Sequence, residues 1–477
     1  MKLGLKNKAK PKSKFVRGVS VLVGGTTIAQ LLMVVISPLL TRIYSPEDFG
    51  MLAIYAALLS IAAVISGMRY ELAIPLPESA QEAVSVLVLT IICVLGTTAV
   101  SAVAVWLASD LMADIMGVPQ LASLLWLLPL GILLQGMFKV FNYWAIREKQ
   151  YPDIARAKIF QSVVMLLVQV LGYKAGGVSL LAGHAIGQGF GSAKLARSAL
   201  RRPEFKRWRW KEVRLAAVRY RKFPLFSTWE GFFNTTGSQL PPLFFAALFG
   251  AGAAGIYALA HRVIATPISI LGQAVANVFF SSAAEAHREG KLGALVHSIH
   301  YKLAQIAMPP AVALMITAPE VFSVIFGEQW REAGHVARWM TPWLYLVFIT
   351  SPLSTLFAVM EKQQHGMLFQ VVMLISRMAA IAAGAWCDNL LAAVIYFSLA
   401  SALCWTGFLL WIAHNTGHTY RMVTTPAARA AIISFLTTSP LWLALPFKNN
   451  EVVWGASLTL SACFILTHYW RLFRKVY

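Results

Sequence analysis

Arg377 falls near the middle of the otherwise uncharged run 367–387, and five other charged side chains share its situation. Arg262, beside His261, lies in 251–281; Lys139 lies in 119–145; Glu230 lies in 223–249; Arg69 and Glu71 close the run 50–68. Placing an Arg, Lys or Asp at the centre of a membrane helix costs about 2.5–3.5 kcal/mol, so such residues normally face a bundle interior or an aqueous cavity. Four of the six are basic, and guanidinium forks match phosphate oxygens two at a time. A cavity lined this way suits an anionic ligand. His184 and His261 add groups able to titrate in a proton cycle, although a histidine in a helix also serves simply as a packing residue. Plainer roles are open to some of the six. Lys139 and Glu230 stand roughly 9 Å from the midplane of their runs, where a lysine reaches an interface. Arg69 with Glu71 reads equally as a structural pair at a membrane edge.

The elements that hold these residues follow from composition. The chain is 58% hydrophobic and 13% charged, with a mean hydropathy of +0.64, which describes a protein dissolved in lipid. A spanning helix needs about 20 predominantly apolar residues. Fourteen runs of about that size occur, near 18–41, 50–68, 83–109, 119–145, 159–173, 175–193, 223–249, 251–281, 303–319, 339–360, 367–387, 390–413, 430–447 and 452–470. They are too long and too uniformly apolar for the alternating strands of a barrel, so the predicted fold is all helical.

Charge orients the ladder. With both termini cytoplasmic, 33 of the 41 Lys and Arg residues fall on the cytoplasmic side and only Arg42, Lys174, Arg331, Arg338 and Lys448 on the other. Basic residues are retained in the cytoplasm during insertion, so this bias sets orientation and favours an even number of crossings. It also accounts for most of the net charge of +21 without nucleic acid. The densest basic run, 201–211, interleaves Trp208 and Trp210 with arginines and lysines as an RNA-binding surface would. Between two spans, that pattern is an interfacial anchor. The N-terminal basic stretch resembles a signal-peptide n-region, but the apolar run behind it ends without a small-residue cleavage site and reads as a retained span.

Catalysis has little room. No phosphate-cradling glycine loop, nucleophile elbow or metal-ligand spacing occurs in the short aqueous loops. Cys93, Cys387, Cys404 and Cys463 lie in or at the ends of apolar runs without CxxC spacing and read as packing residues. The expectation is a protein that is not an enzyme, with no catalytic residue, metal or cofactor.

The basic loop 194–222 divides the chain, and the two parts echo each other. Glu148-Lys149-Gln150 recurs as Glu361-Lys362-Gln363, Phe160-Gln161 as Phe369-Gln370, and Phe49-Gly50 as Ala254-Gly255, at offsets of 213, 209 and 205 residues, with Tyr55 answered by Tyr257 at 202. A duplicated six-helix unit follows, a transporter signature. Five regions are expected: a cytoplasmic basic N-terminus, 1–17; a first six-helix bundle, 18–193; a basic cytoplasmic linker, 194–222; a second six-helix bundle, 223–413; and 414–477, carrying two accessory helices and a cytoplasmic tail. Prolines such as Pro38, Pro129, Pro267, Pro309, Pro342 and Pro352 fall in or near spans, where each permits a bend.

Three stretches carry a family resemblance: Gly24-Gly25-Thr26-Thr27-Ile28-Ala29-Gln30; the run from Ser37-Pro38 through Tyr44-Ser45-Pro46-Glu47-Asp48-Phe49-Gly50; and Arg69-Tyr70-Glu71-Leu72-Ala73-Ile74. Together they resemble the opening of the Wzx-type polysaccharide flippases, members of the multidrug/oligosaccharidyl-lipid/polysaccharide exporter superfamily. The stretch Gly255-Ile256-Tyr257-Ala258-Leu259-Ala260-His261-Arg262 with Pro267, and Glu361-Lys362-Gln363, are similar to the second-half pattern. The resemblance implies a bacterial inner-membrane protein that moves undecaprenyl-pyrophosphate-linked oligosaccharide units between leaflets, with the bilayer and that lipid as partners. A polysaccharide polymerase and a chain-length protein are implied beside it. The two halves would alternate access around a central cationic cavity. There Arg69, Lys139, Arg262 and Arg377 would balance the headgroup, Glu71 or Glu230 would meet sugar hydroxyls or take part in ion coupling, and His184 and His261 would carry protons. A multidrug or cation antiporter and a lipid II flippase of the same superfamily are the alternatives. The first would favour a buried carboxylate in the first half, and span one has none.

Overall fold

The computed structural model describes residues 11–417, 421–447 and 450–474. The basic segment before residue 11, Lys448 and the tail from residue 475 lie outside them. All regular structure among the described residues is helical. In chain order the helices are α1 (Pro11–Ile43), α2 (Pro46–Ile65), α3 (Ala80–Ile115), α4 (Leu127–Arg147), α5 (Tyr151–Leu171), α6 (Gly177–Leu200), α7 (Trp210–Arg219), α8 (Thr228–Arg288), α9 (Leu292–Phe326), α10 (Arg331–Thr350), α11 (Leu356–Val359), α12 (Gln363–Ala385), α13 (Leu390–Asn415), α14 (Arg421–Thr437), α15 (Ser439–Ala444) and α16 (Glu451–Arg474). Among the described residues, nine helices are long and apolar enough to cross a membrane, and ten if the pair Thr424–Thr437 and Ser439–Phe447, bent by 53°, is one broken span. The protein is therefore a multi-span helical membrane protein.

Local sequence explains where helices begin and end. Ser45 caps α2 with a reciprocal box: the Asp48 amide donates to its hydroxyl at 3.2 Å, and its own amide donates to the Asp48 carboxylate at 3.1 Å. Within α8 the helical path breaks at Gly250, whose φ of 85° and ψ of 173° suit a residue without a Cβ. This break separates the two runs read from sequence as 223–249 and 251–281.

The chain forms two compact units, Met1–Gly255 and Ile256–Tyr477. In the first, α6 packs against α4 and α5, α5 against α1, and α3 against α4. One core cluster joins Val84 and Leu87 of α3, Phe141 and Trp144 of α4 and Leu195 of α6 to Val213 of the short helix α7. The crossing of α2 with the stretch after the Gly250 break is unusually close. A Cβ on Gly50 would fall 1.8 Å from the Ala251 carbonyl oxygen, and one on Gly255 would fall 1.9 Å from that of Pro46. Small residues permit this backbone approach in helix pairs. The two glycines that the sequence echo pairs thus meet each other.

In the second unit, α10 packs on α9 and α13, α12 on α13, and α14 on α9. An aromatic group, Phe357, Phe369, Trp405, Phe408 and Trp411 in ring contact, packs on one of its core clusters.

Candidate functional site

The charged residues fall into two groups, one in each unit. In the first unit, α2 ends at Ile65 and the chain turns through Met68 and Arg69, both left-handed at φ 51° and 58°, before a 3-10 turn over Tyr70–Ala73. Two successive non-glycine residues in that region cost of order 1–3 kcal/mol each and persist only where surroundings hold them. Here Tyr70 Oη donates to the Ala217 carbonyl at 3.2 Å, and Arg69 Nε donates to that of Ser227 at 3.4 Å. The acceptor belongs to a π-helical turn, Phe223–Ser227, at the entrance to α8. The Arg69 guanidinium lies against Gly231, where an added Cβ would come within 2.8 Å of its central carbon.

Glu71 follows on the same turn and is buried at 3% exposure, with Oε2 lacking a hydrogen-bond partner. Lys139 and Arg69 supply the positive charge it feels. The Lys139 ammonium, however, donates at 2.7 Å to the carbonyl of Ala63, one of the last carbonyls of α2. A helix C-terminus leaves such carbonyls without intrahelical donors and carries partial negative charge, so a cation is stabilising there. Ser66 Oγ donates to the same oxygen at 3.0 Å.

The other predicted residues of this unit stand apart. Glu230 is exposed on α8 and forms no ion pair among the described residues. His184 on α6 meets Tyr55 of α2 edge to face, with centroids 6.0 Å apart, and the Tyr55 hydroxyl donates to the Leu127 carbonyl at 3.0 Å.

The second unit arranges its charges differently. Tyr257 and His261, one turn apart on α8, stack in parallel at 5.8 Å, and His261 continues the stack onto Trp343 of α10 at 6.2 Å. Phe397 of α13 closes the group, edge-on to both Tyr257 and Trp343. The Arg377 guanidinium, from α12, lies 5.0 Å from the Trp343 ring centroid and 5.3 Å from that of Phe397. Its Nε donates to Ser401 Oγ at 2.9 Å, one turn beyond Phe397 on α13. Cation–π contact is worth roughly 0.5–2 kcal/mol and fixes the plane of the fork. Both terminal nitrogens remain without a protein acceptor among the described residues, and so does the side chain of Arg262, which follows His261 on α8. A planar guanidinium held by its stem, with its outer N–H groups unspent, is arranged to receive a tetrahedral oxyanion or a carboxylate.

Sequence reading singles out Arg377, Arg262 and His261 as candidates; it does not single out Trp343, Phe397 and Ser401 around Arg377, or the stacking of Tyr257 on His261. The i, i+4 spacings of Tyr257 with His261 and of Phe397 with Ser401 were the available signal. Three titratable ligands in metal-binding proximity do not occur among the described residues.

Comparison with known proteins narrows the class. Residues 39–335 match the family model described as "Polysaccharide biosynthesis protein". The chain is 26% identical over 410 residues to the succinoglycan biosynthesis transport protein ExoT of Rhizobium meliloti (strain 1021), covering 83% of this chain and 78% of that one. It is 24% identical over 429 residues to the lipopolysaccharide biosynthesis protein WzxC of Escherichia coli (strain K12), covering 85% and 80%. Among solved structures, the lipid II flippase MurJ in an inward closed conformation matches with a TM-score of 0.71 at 12% identity, covering 97% of this chain and 99% of that one. An inward-facing multidrug resistance transporter of the MATE family in the MOP superfamily matches at 0.57 with 15% identity, covering 83% and 93%. At these identities the structural likeness speaks to fold.

Proposed function

Because the chain belongs to the polysaccharide biosynthesis protein family, we propose that it is a flippase carrying polyprenyl-pyrophosphate-linked oligosaccharide units across the membrane for surface polysaccharide assembly. It is a multi-pass protein of the bacterial inner membrane, with at least nine helices suited to crossing it. The observation that carries the proposal is the Arg377 fork: immobilised on Trp343 and Phe397, tied through Nε to Ser401, and free at its outer nitrogens. Pyrophosphate oxygens are the acceptors that best complete it, and Arg262 adds a second unspent guanidinium.

The remaining site residues take supporting parts. Arg69 and Lys139 add positive potential for the headgroup, and Glu230, exposed, meets sugar hydroxyls. Glu71 is a candidate for ion coupling, with His184 and His261 as proton carriers. The carrier's polyprenyl tail stays in lipid while the headgroup passes by alternating access. The chain crosses the membrane fourteen times, twice within α8 because of the Gly250 break, with both ends cytoplasmic. Domains run as 1–17, 18–193, 194–222, 223–413 and 414–477, and a polymerase and chain-length protein receive the product outside.

Sequence relatives favour polysaccharide units over peptidoglycan precursor, since both ExoT and WzxC are named for polysaccharide biosynthesis. The lipid II reading rests on fold alone. Depletion of the protein followed by analysis of polyprenyl-linked glycans tests the proposal. Repeat units stalled on the cytoplasmic leaflet are expected, and changed dye efflux with normal glycan export would overturn it.

A further inference from the structure

A cavity of about 900 Å³ lies within the unit Ile256–Tyr477, walled by α9, α14 and α16 and remote in sequence from the Arg377 group. Its chemistry is one-sided. Lys302, Gln305, His468 and Arg471 line it, together with apolar side chains such as Leu436 and Phe464, and no carboxylate does. Lys302 and Arg471 are exposed and form no ion pair among the described residues. Gln305 is only 1% exposed, yet its side-chain Nε2 has no acceptor; His468 Nε2 is likewise buried without a partner. A buried amide donor left unpaired is costly. Donors therefore converge here with nothing from the protein to receive them.

Depth adds a second constraint. By the positive-inside reading, Lys302 and Arg471 stand at the cytoplasmic ends of their spans, where headgroups lie. Basic pockets between helices on that side suit phosphate-headed lipids, and anionic phospholipids make up much of that leaflet. The cavity's size fits a headgroup and the first part of its chains. We propose that it holds an anionic glycerophospholipid as a resident lipid. The phosphate sits against Lys302, Arg471 and the Gln305 amide, and the acyl chains run along Leu436 and Phe464. A sparse polyprenyl carrier would compete poorly for it by mass action.

Native mass spectrometry of the full protein, released from phosphatidylcholine nanodiscs containing phosphatidylglycerol, tests this. The wild-type protein should retain one phosphatidylglycerol in preference to phosphatidylcholine. The Lys302→Gln/Arg471→Gln variant should lose that preference by roughly tenfold or more. Gln305→Leu leaves both exposed charges in place and should weaken retention too, which provides a second variant if the first folds poorly. Unchanged retention in both variants would overturn the assignment. So would displacement of phosphatidylglycerol from the wild-type cavity by undecaprenyl phosphate at equal concentration.

Discussion

The two charged groups solve the burial problem in opposite ways. In the unit Met1–Gly255, Lys139 is engaged, closing the C-terminus of α2 through the Ala63 carbonyl, while Arg69 spends only Nε, at 3.4 Å on the Ser227 carbonyl, and a buried carboxylate, Glu71, follows two residues on. In the unit Ile256–Tyr477, Arg377 rests on aromatic faces and spends a single nitrogen on Ser401. A cation satisfied by backbone carbonyls secures a turn, whereas one supported by quadrupoles keeps its hydrogen bonds for a ligand. Lys139 is tied to the turn after α2, whereas Arg377 presents its outer nitrogens.

The largest effect should come from Arg377→Lys. Charge survives, but the planar fork and its stacking do not, so export of lipid-linked glycan in cells should fall at least about tenfold while expression is retained. Near-normal export would mean that charge alone matters there and would erase the contrast. Lys139→Met should act on stability instead. It removes the donor to Ala63 and a positive charge that acts on Glu71, a loss of about 1–3 kcal/mol, seen as a lowered Tm in detergent. Adding Glu71→Gln should recover part of the loss. A single variant with wild-type Tm and abolished export would leave Lys139 acting on the headgroup and not on the turn.

A smaller effect is expected at the exposed pair of Glu328 and Arg331, at the start of α10. Arg331 Nε donates to the Glu328 carboxylate at 2.6 Å, and that hydrogen bond holds the Glu328 carboxyl below its ordinary range. A depressed carboxyl stabilises the fold above its unfolded pKa of about 4.3 and loses that contribution as pH falls through the folded value. Arg331→Gln should therefore lower Tm slightly at pH 7, less in high salt, and not at pH 3. A difference that persists in acid would point to packing.

Legibility followed the range over which each signal acts. Arg377 stood out because one charge interrupts a long apolar run, a local property. Its setting was hidden because Trp343, Phe397 and Tyr257 come from three helices, and one-dimensional spacing does not say which of many aromatics will converge. Lys139 was equally visible as a charge, but its work was not, since its acceptor is the end of another helix. The repeat shows the same limit in miniature. Sequence aligns Glu148-Lys149-Gln150 with Glu361-Lys362-Gln363, yet the left-handed residues that end the helices are Lys149 and Glu361, at φ 56° and 58°. In each case the next amide closes back five residues, Gln150 to Ala145 and Lys362 to Phe357, both at 2.8 Å. The structural match is thus shifted by one residue from the sequence match. A helix end fixes backbone geometry and leaves side-chain identity free to drift. The all-helical membrane class needed no such tertiary information, because lipid imposes it on any chain of this hydropathy.

The central claim is that the outer nitrogens of Arg377 bind the phosphate-bearing headgroup. Its most direct test is the affinity of the purified protein for a polyprenyl-pyrophosphate-linked oligosaccharide, compared among wild type, Arg377→Ala and Arg69→Ala. Loss of charge-assisted hydrogen bonds predicts binding weaker by about 10- to 100-fold for Arg377→Ala, with a much smaller change for Arg69→Ala. Equal affinity in wild type and Arg377→Ala would contradict the account.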